Sequence, residues 1–186
     1  MLTPLAISLG DPAGVGPELI AKAWTLRVSE GLPPFFVAGG TDILSSAATA
    51  CRLDVPVESI DDPSDALGTF ADALPVLSGA DGAYTPGTPS LEGAKVALAS
   101  LEQATELVIG GHASGLVTGP VAKSELAKVG FSFPGQTEFL ADACEVPADN
   151  AVMMLAGPSL RTVPLTVHCA LSEVPARITQ ELIMRR

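Results

Sequence analysis

Apolar positions along the chain follow two alternating rhythms, short unbroken runs and longer stretches that step by threes and fours. Pro4 to Leu9 is the first run and predicts a buried strand. Gly10-Asp-Pro-Ala-Gly-Val-Gly16 then turns the chain, and Pro17 opens a helix to about Arg27. Proline suits the first helical position, where no N–H is needed. The order returns with Pro34 to Ala38 as strand and Thr41 to Ala50 as helix, Thr41 being the expected N-cap and Asp42 lying in the positive first turn. A third apolar run covers Val55 to Ile60.

Asp61 to Pro89 is richer in Asp, Gly, Pro and Ser and reads as a connecting excursion with a strand near Leu74 to Leu77. The clearest helix follows, with Thr88 as N-cap, Pro89 at its first position and Gly110-Gly111 ending it. Leu91, Leu98 and Leu101 are expected to face inward. Beyond it the pattern predicts a strand at Gly115 to Thr118, helices at Val121 to Lys128 and Thr137 to Cys144, and strands at Ala151 to Leu155 and Thr162 to Val167. Ser172 is the expected cap of a last helix. Strands and helices in alternation, with strands apolar on both faces, predict an α/β three-layer sandwich with a mostly parallel sheet. Leu182, Ile183 and Met184 still supply an apolar face close to Arg186, so either that helix is the true C-terminal element or the chain is the front part of something longer.

Composition narrows the function classes. The chain has 186 residues, 47% of them apolar, with 10 Lys+Arg against 21 Asp+Glu and a formal charge of −11. That sign argues against generic nucleic-acid or membrane-surface binding. A small anion stays compatible, because backbone N–H groups can hold a phosphate against an unfavourable net charge. Cys51, Cys144 and Cys169 are odd in number and never in C-x-x-C spacing, which fits a reducing cytoplasm better than a disulfide framework or zinc ribbon. The first ten residues lack the basic start of a signal peptide.

Four segments could carry chemistry. Gly10 to Leu19 is a glycine-rich strand-to-helix turn whose amides could face an anion, or simply a tight turn; its spacing is not G-x-G-x-x-G, and no Gly-Lys-Ser/Thr is present. Thr118-Gly-Pro-Val-Ala-Lys123 places a hydroxyl and a cation at a strand end, where open α/β sheets bind ligands, although Lys123 equally suits a solvated helix. Phe133-Pro-Gly-Gln136-Thr137-Glu138 puts an amide, a hydroxyl and a carboxylate at a helix start, fit for a phosphate or for capping alone. His168 ends an apolar strand, where an imidazole can ligate a metal, exchange protons or serve structure; His112 lies in a Gly-rich loop.

Taken in order, GDPAGVGPEL (10–19), TPSLEGAKVAL (88–98), LVTGPVAK (116–123), FPGQTEFLAD (133–142), VMMLAG (152–157) and LTVHCALSEVP (165–175) resemble the N-terminal half of the 4-hydroxythreonine-4-phosphate dehydrogenase family. The resemblance implies a fold like the isocitrate and isopropylmalate dehydrogenases, incomplete at the C-terminus, with residues 1–186 as the N-terminal portion of such an enzyme. It implies NAD(P)-dependent oxidation of 4-phosphooxy-L-threonine, with decarboxylation to 3-amino-2-oxopropyl phosphate, in pyridoxal 5'-phosphate biosynthesis. It also implies a cytoplasmic homodimer and a divalent metal (Zn, Mg or Co).

By the same resemblance Gln136 and Thr137 contact the phosphorylated amino-acid substrate, Gln136 standing where the family has histidine, and His168 is a metal ligand. Family members are nearly twice as long, and their second half carries the remaining metal-ligand histidines and further substrate contacts. Two other readings stand beside this one, a truncated non-catalytic chain and an enzyme like the phosphate acyltransferases.

Overall fold

The computed structural model describes residues 3–167 and 169–186. It divides into two units, Met1–Ser132 and Phe133–Arg186.

In the first unit, apolar runs become the parallel strands of one sheet: β1 (Leu5–Ser8), β2 (Phe35–Ala38), β3 (Val57–Ile60), β4 (Leu74–Leu77) and β5 (Leu116–Thr118). Their spatial order is β3-β4-β2-β1-β5, and every pairing is parallel. Alternation along each strand sends successive side chains to opposite faces. Phe35 and Val37 of β2 join Ile7 of β1 and Val76 of β4 on one face, against Ile20 and Trp24 of α1 (Gly16–Leu26) and Ile43 and Leu44 of α2 (Thr41–Ala50). Phe36 and Ala38 turn to the other face with Ala6, Leu77 and Ala66 of α3 (Ala66–Thr69), against Ala104 of α4 (Leu91–Ile109). The result is the expected three-layer α/β arrangement. α5 (Lys123–Lys128) completes this unit.

Two details of the helices differ from expectation. Thr41 is the first helical residue of α2, not its cap; the cap position is Gly40, whose φ of 82° suits only glycine well. The capping acceptor comes from far along the chain, as Asp81 takes the N–H of Asp42 at 2.8 Å and of Ile43 at 3.4 Å. α4 begins at Leu91 rather than beside Thr88, with the Ser90 hydroxyl accepting from Gly93 N–H at 3.0 Å. Its inward face is made of Ala94, Ala97, Ser100, Leu101 and Ala104, while Leu98 is partly buried and Leu91 is 47% exposed. Small residues let the helix approach the sheet closely, so the bulkier leucines at its start and flank lie off the line of contact.

The second unit holds α6 (Gln136–Ala143), the short antiparallel pair β6 (Leu155–Ala156) and β7 (Arg161–Thr162), α7 (Val174–Arg177) and α8 (Gln180–Arg185). The strands expected at Ala151 to Leu155 and Thr162 to Val167 shrink to two residues each. Val152, Met153, Met154 and Leu155 are 42–60% exposed, and of that run only Leu155 enters a strand, opposite Thr162, so the others leave their backbone groups to water. Pro164 lies within the second expected run and brings no N–H to a ladder. Ser172 falls inside a 3₁₀ turn (Leu171–Glu173) and caps nothing; Ile178 breaks the helical backbone, and Thr179 caps α8 by accepting from Leu182 N–H at 3.1 Å. Among the described residues no helix is long and apolar enough to cross a membrane.

Candidate functional site

β1 sends its chain to β2 on one side, while β5, reached only after β4, lies on the other. The order of connection thus reverses between β1 and β5, and open α/β sheets bind ligands beyond the strand carboxyl ends at such a point. Both glycine-rich segments singled out in the sequence meet there. Asp11 N–H donates to Pro120 O at 2.9 Å, and Gly119 N–H to Ser8 O at 3.0 Å and to the Ser8 hydroxyl at 3.1 Å.

The glycines serve this junction rather than an open cradle. A Cβ on Gly10 would lie 2.7 Å from Pro120 O, one on Gly119 2.7 Å from Gly10 N, and one on Gly16 2.6 Å from Leu9 O. Asp11, almost buried, folds its carboxylate back onto Ala13 N–H at 2.8 Å. One more buried group pins the region: Ser100 of α4 accepts from Leu9 N–H at 2.8 Å and donates to Ala38 O at 2.6 Å, holding the ends of β1 and β2 together.

A segment between β4 and α4 passes across the turn. Gly87 N–H donates to Ala13 O at 2.8 Å, and the Tyr84 hydroxyl donates to Glu18 Oε1 at 2.7 Å. Partial burial, followed by the bond to the Glu18 carboxylate and its charge, pushes the Tyr84 phenol up to about 12. Beside this segment is a cleft of about 340 Å³ between Pro12, Ile43, Ala80, Asp81, Ser90 and Val96. Its lining is mixed: Ile43, Ala80 and Val96 are apolar, Glu92 and Lys95 pair with each other at 2.8 Å, and the Asp81 carboxylate accepts from Asp42, Ile43 and Gly82 N–H. Tyr84, Asp81 and Ser100 belong to none of the four segments that the sequence marks for chemistry, since each acts on a partner 39 to 91 residues distant and no local motif announces it. Lys123 opens α5 and is exposed.

In the second unit α6 begins at Gln136. Its cap position is Gly135, extended and without a side chain to cap the first turn, at the positive end of the helix. Thr137 is exposed and Gln136 partly buried, with Glu138 in the same turn. Phe133 and Phe139 pack edge to face at 5.5 Å and fix the chain's entry into the helix. His168 lies outside the described residues. Among the described residues no three His, Cys, Asp or Glu side chains come together to hold a metal.

Comparison with known proteins supplies an independent line of evidence. The sequence model of the family described as pyridoxal phosphate biosynthetic protein PdxA matches residues 32–186. A 4-hydroxythreonine-4-phosphate dehydrogenase of Erythrobacter litoralis is 59% identical over 183 residues, covering 98% of this chain and 54% of the relative. Another, of Zymomonas mobilis, is 50% identical over 186 residues, covering 100% of this chain and 54% of that protein. The crystal structure of a 4-hydroxythreonine-4-phosphate dehydrogenase from Burkholderia phymatum superposes with a TM-score of 0.80 at 25% identity, covering 100% of this chain and 56% of that one. The chain thus spans about half the length of the curated relatives it matches.

Proposed function

Because the chain belongs to the pyridoxal phosphate biosynthetic protein PdxA family, we propose that it supplies the front half of a 4-hydroxythreonine-4-phosphate dehydrogenase. The reaction is oxidation of the C3 hydroxyl of 4-phosphooxy-L-threonine by NAD(P)+, followed by loss of CO2 to give 3-amino-2-oxopropyl phosphate. The observation that carries this reading is identity of 59% across 98% of the chain with a relative of that name.

In this reading the α6 start grips the substrate phosphate. Its first-turn amides point along the helix axis, the Thr137 hydroxyl adds a donor, and the Gln136 amide donates without bringing a charge. NAD(P)+, when bound, takes up the hydride; the 340 Å³ cleft, where Pro12, Ile43, Ala80 and Val96 bring apolar surface, would offer a seat for one of its rings. The described residues do not fit a divalent metal by themselves. The expectation of Zn, Mg or Co rests on His168 by resemblance, and none of the steps assigned here passes through a metal. A cytoplasmic homodimer belongs to the same reading, supported by the exposed Met154, Leu155 and Leu160 of the second unit.

The test is a chimera of this chain with the remaining portion of the Erythrobacter litoralis relative, assayed for NAD(P)H formation with 4-phosphooxy-L-threonine. Steady reduction is expected, and a folded chimera that reduces neither nucleotide overturns the reading.

A further inference from the structure

The segment between β4 and α4 is pinned at both ends and lightly held in between. At one end Gly40 N–H donates to Ala80 O at 2.9 Å, and the Asp81 carboxylate accepts from Asp42, Ile43 and Gly82 N–H. At the other end the Ser90 hydroxyl accepts from Gly93 N–H. These anchors cap α2 and α4, so they hold with the core of the unit.

Residues 82–89 lie between them, half-buried at Tyr84 and Thr85 and exposed elsewhere. Thr88 N–H donates to Thr85 O at 3.0 Å across Pro86 and Gly87. Proline holds the first corner near φ of about −65° and Gly87 has φ 75°, the pair that a type II turn requires. The tip is therefore a small rigid piece. Among the described residues, what ties it to the rest of the unit is the bond of Gly87 N–H to Ala13 O, the bond of the Tyr84 hydroxyl to Glu18 Oε1, and the packing of the Tyr84 ring.

The segment covers part of the 340 Å³ cleft. Gly82, Ala83 and Thr85 line it together with Val96 and Ala99 of α4, and a Cβ on Gly82 would lie 3.6 Å from Val96 Cγ2. Val96 is 7% exposed and belongs to the core, so the segment rests directly on a buried side chain.

We infer that residues 82–89 are a hinged strap over the cleft, swinging between the Asp81 and Ser90 anchors when Gly87 leaves Ala13 and Tyr84 leaves Glu18. Two hydrogen bonds and one half-buried ring put this segment at the low end of local stability, below the cost of unfolding the sheet beneath it. Its fastenings fall on Ala13, within the Gly10–Gly16 turn, and on Glu18, in the first turn of α1, so a shift of that turn loosens the strap. Open, it uncovers Val96 and admits a ligand; closed, it keeps water from the same surface. The role of the gate rests on the reading of the cleft as a seat for a ring of NAD(P)+, whereas the motion itself does not.

The test uses the chain itself. Val96→Cys places a thiol beneath Gly82, and its labelling by a small methanethiosulfonate reagent is followed by peptide mass spectrometry, which separates it from Cys51, Cys144 and Cys169. Labelling at least about tenfold slower than that of the exposed Cys51 is expected, and nearly independent of urea below the unfolding transition, as a local opening requires. Tyr84→Phe removes one fastening and should speed the labelling about fivefold. Gly87→Ala keeps both bonds but puts a side chain at φ 75° in open space, straining the turn alone, and should speed it by a similar factor. Exchange of the Gly87 amide reads the same opening without the added cysteine and should rise in step in Tyr84→Phe. In both variants the amides of Asp42 and Gly93 should exchange as in the parent, because the anchors stay closed. The inference is overturned if the Val96→Cys thiol reacts as fast as Cys51, if it reacts only through global unfolding, if either folded variant leaves its rate unchanged, or if the anchor amides open in step. Turnover is not read, so a failed dehydrogenase assay and a failed strap remain separate results.

Discussion

The Tyr84 hydroxyl donates to Glu18 Oε1 at 2.7 Å, joining residues 66 positions apart. The bond fastens the segment before α4 to the first turn of α1, directly over the Gly10–Gly16 turn. Glu18 does two things there, as it also places negative charge at the positive end of α1.

Tyr84→Phe is expected to cost about 1 kcal/mol, the value of a partly solvated bond to a charged acceptor. Since the folded phenol titrates near 12 and an unfolded one near 10, the stabilisation is complete below pH about 10 and is lost as pH rises from there toward about 12. Tyr84 is the one tyrosine of the sequence, so its ultraviolet titration reads the group alone. Ionisation near the ordinary value would contradict the bond.

Ser100→Ala should destabilise the fold by about 2–4 kcal/mol, because it leaves the buried Leu9 N–H and Ala38 O without their partner. Urea unfolding followed by the fluorescence of Trp24, the single tryptophan, measures it. A loss under about 0.5 kcal/mol, the usual range of surface substitutions, would show the hydroxyl to be dispensable.

Two glycines should respond in opposite directions. In Gly119→Ala the new Cβ meets Gly10 N and Ser8 O at 2.7 Å, backbone atoms that cannot swing away, so a cost of about 2–3 kcal/mol is expected. Gly68 lies in α3 with open space around it, and Gly68→Ala should gain about 0.5–1 kcal/mol. Thermal unfolding of the pair decides the point.

In the chimera, Gln136→Ala and Thr137→Val should each raise KM for 4-phosphooxy-L-threonine by about 10- to 100-fold, the weight of one hydrogen bond to a charged group. The measurement is KM with the nucleotide saturating; unchanged KM in both variants would remove the α6 start from the substrate site.

Much of the first unit is legible in the sequence because its signals are local. The strands β1, β2 and β4 are apolar runs bounded by Gly, Pro or Asp, and α1 and α2 follow turns rich in glycine. What escapes is decided at a distance. Asp81 caps α2 from 39 residues away, whereas local spacing favours Thr41 as the cap. Leu91 and Leu98 satisfy the helical period, yet the sheet receives Ala94, Ala97 and Ser100, because closeness of approach rather than bulk chooses the face. In the second unit, Val152 to Leu155 carries a strand-like run of which only Leu155 enters a strand. The α6 start is legible to within one residue, since Pro134-Gly135 marks it.

The neighbour of β1 on the β5 side is separated from it by a long stretch of chain, Ser8 meeting Gly119 across 111 residues. A ribosome adding about 5–20 residues each second takes about 6–22 s to make that stretch. From the time β2 has formed until β5 follows, β1 presents the backbone groups of Ala6 and Ser8 on an unclosed side. Synthesis speed is therefore expected to bear on the yield of folded protein alongside final stability.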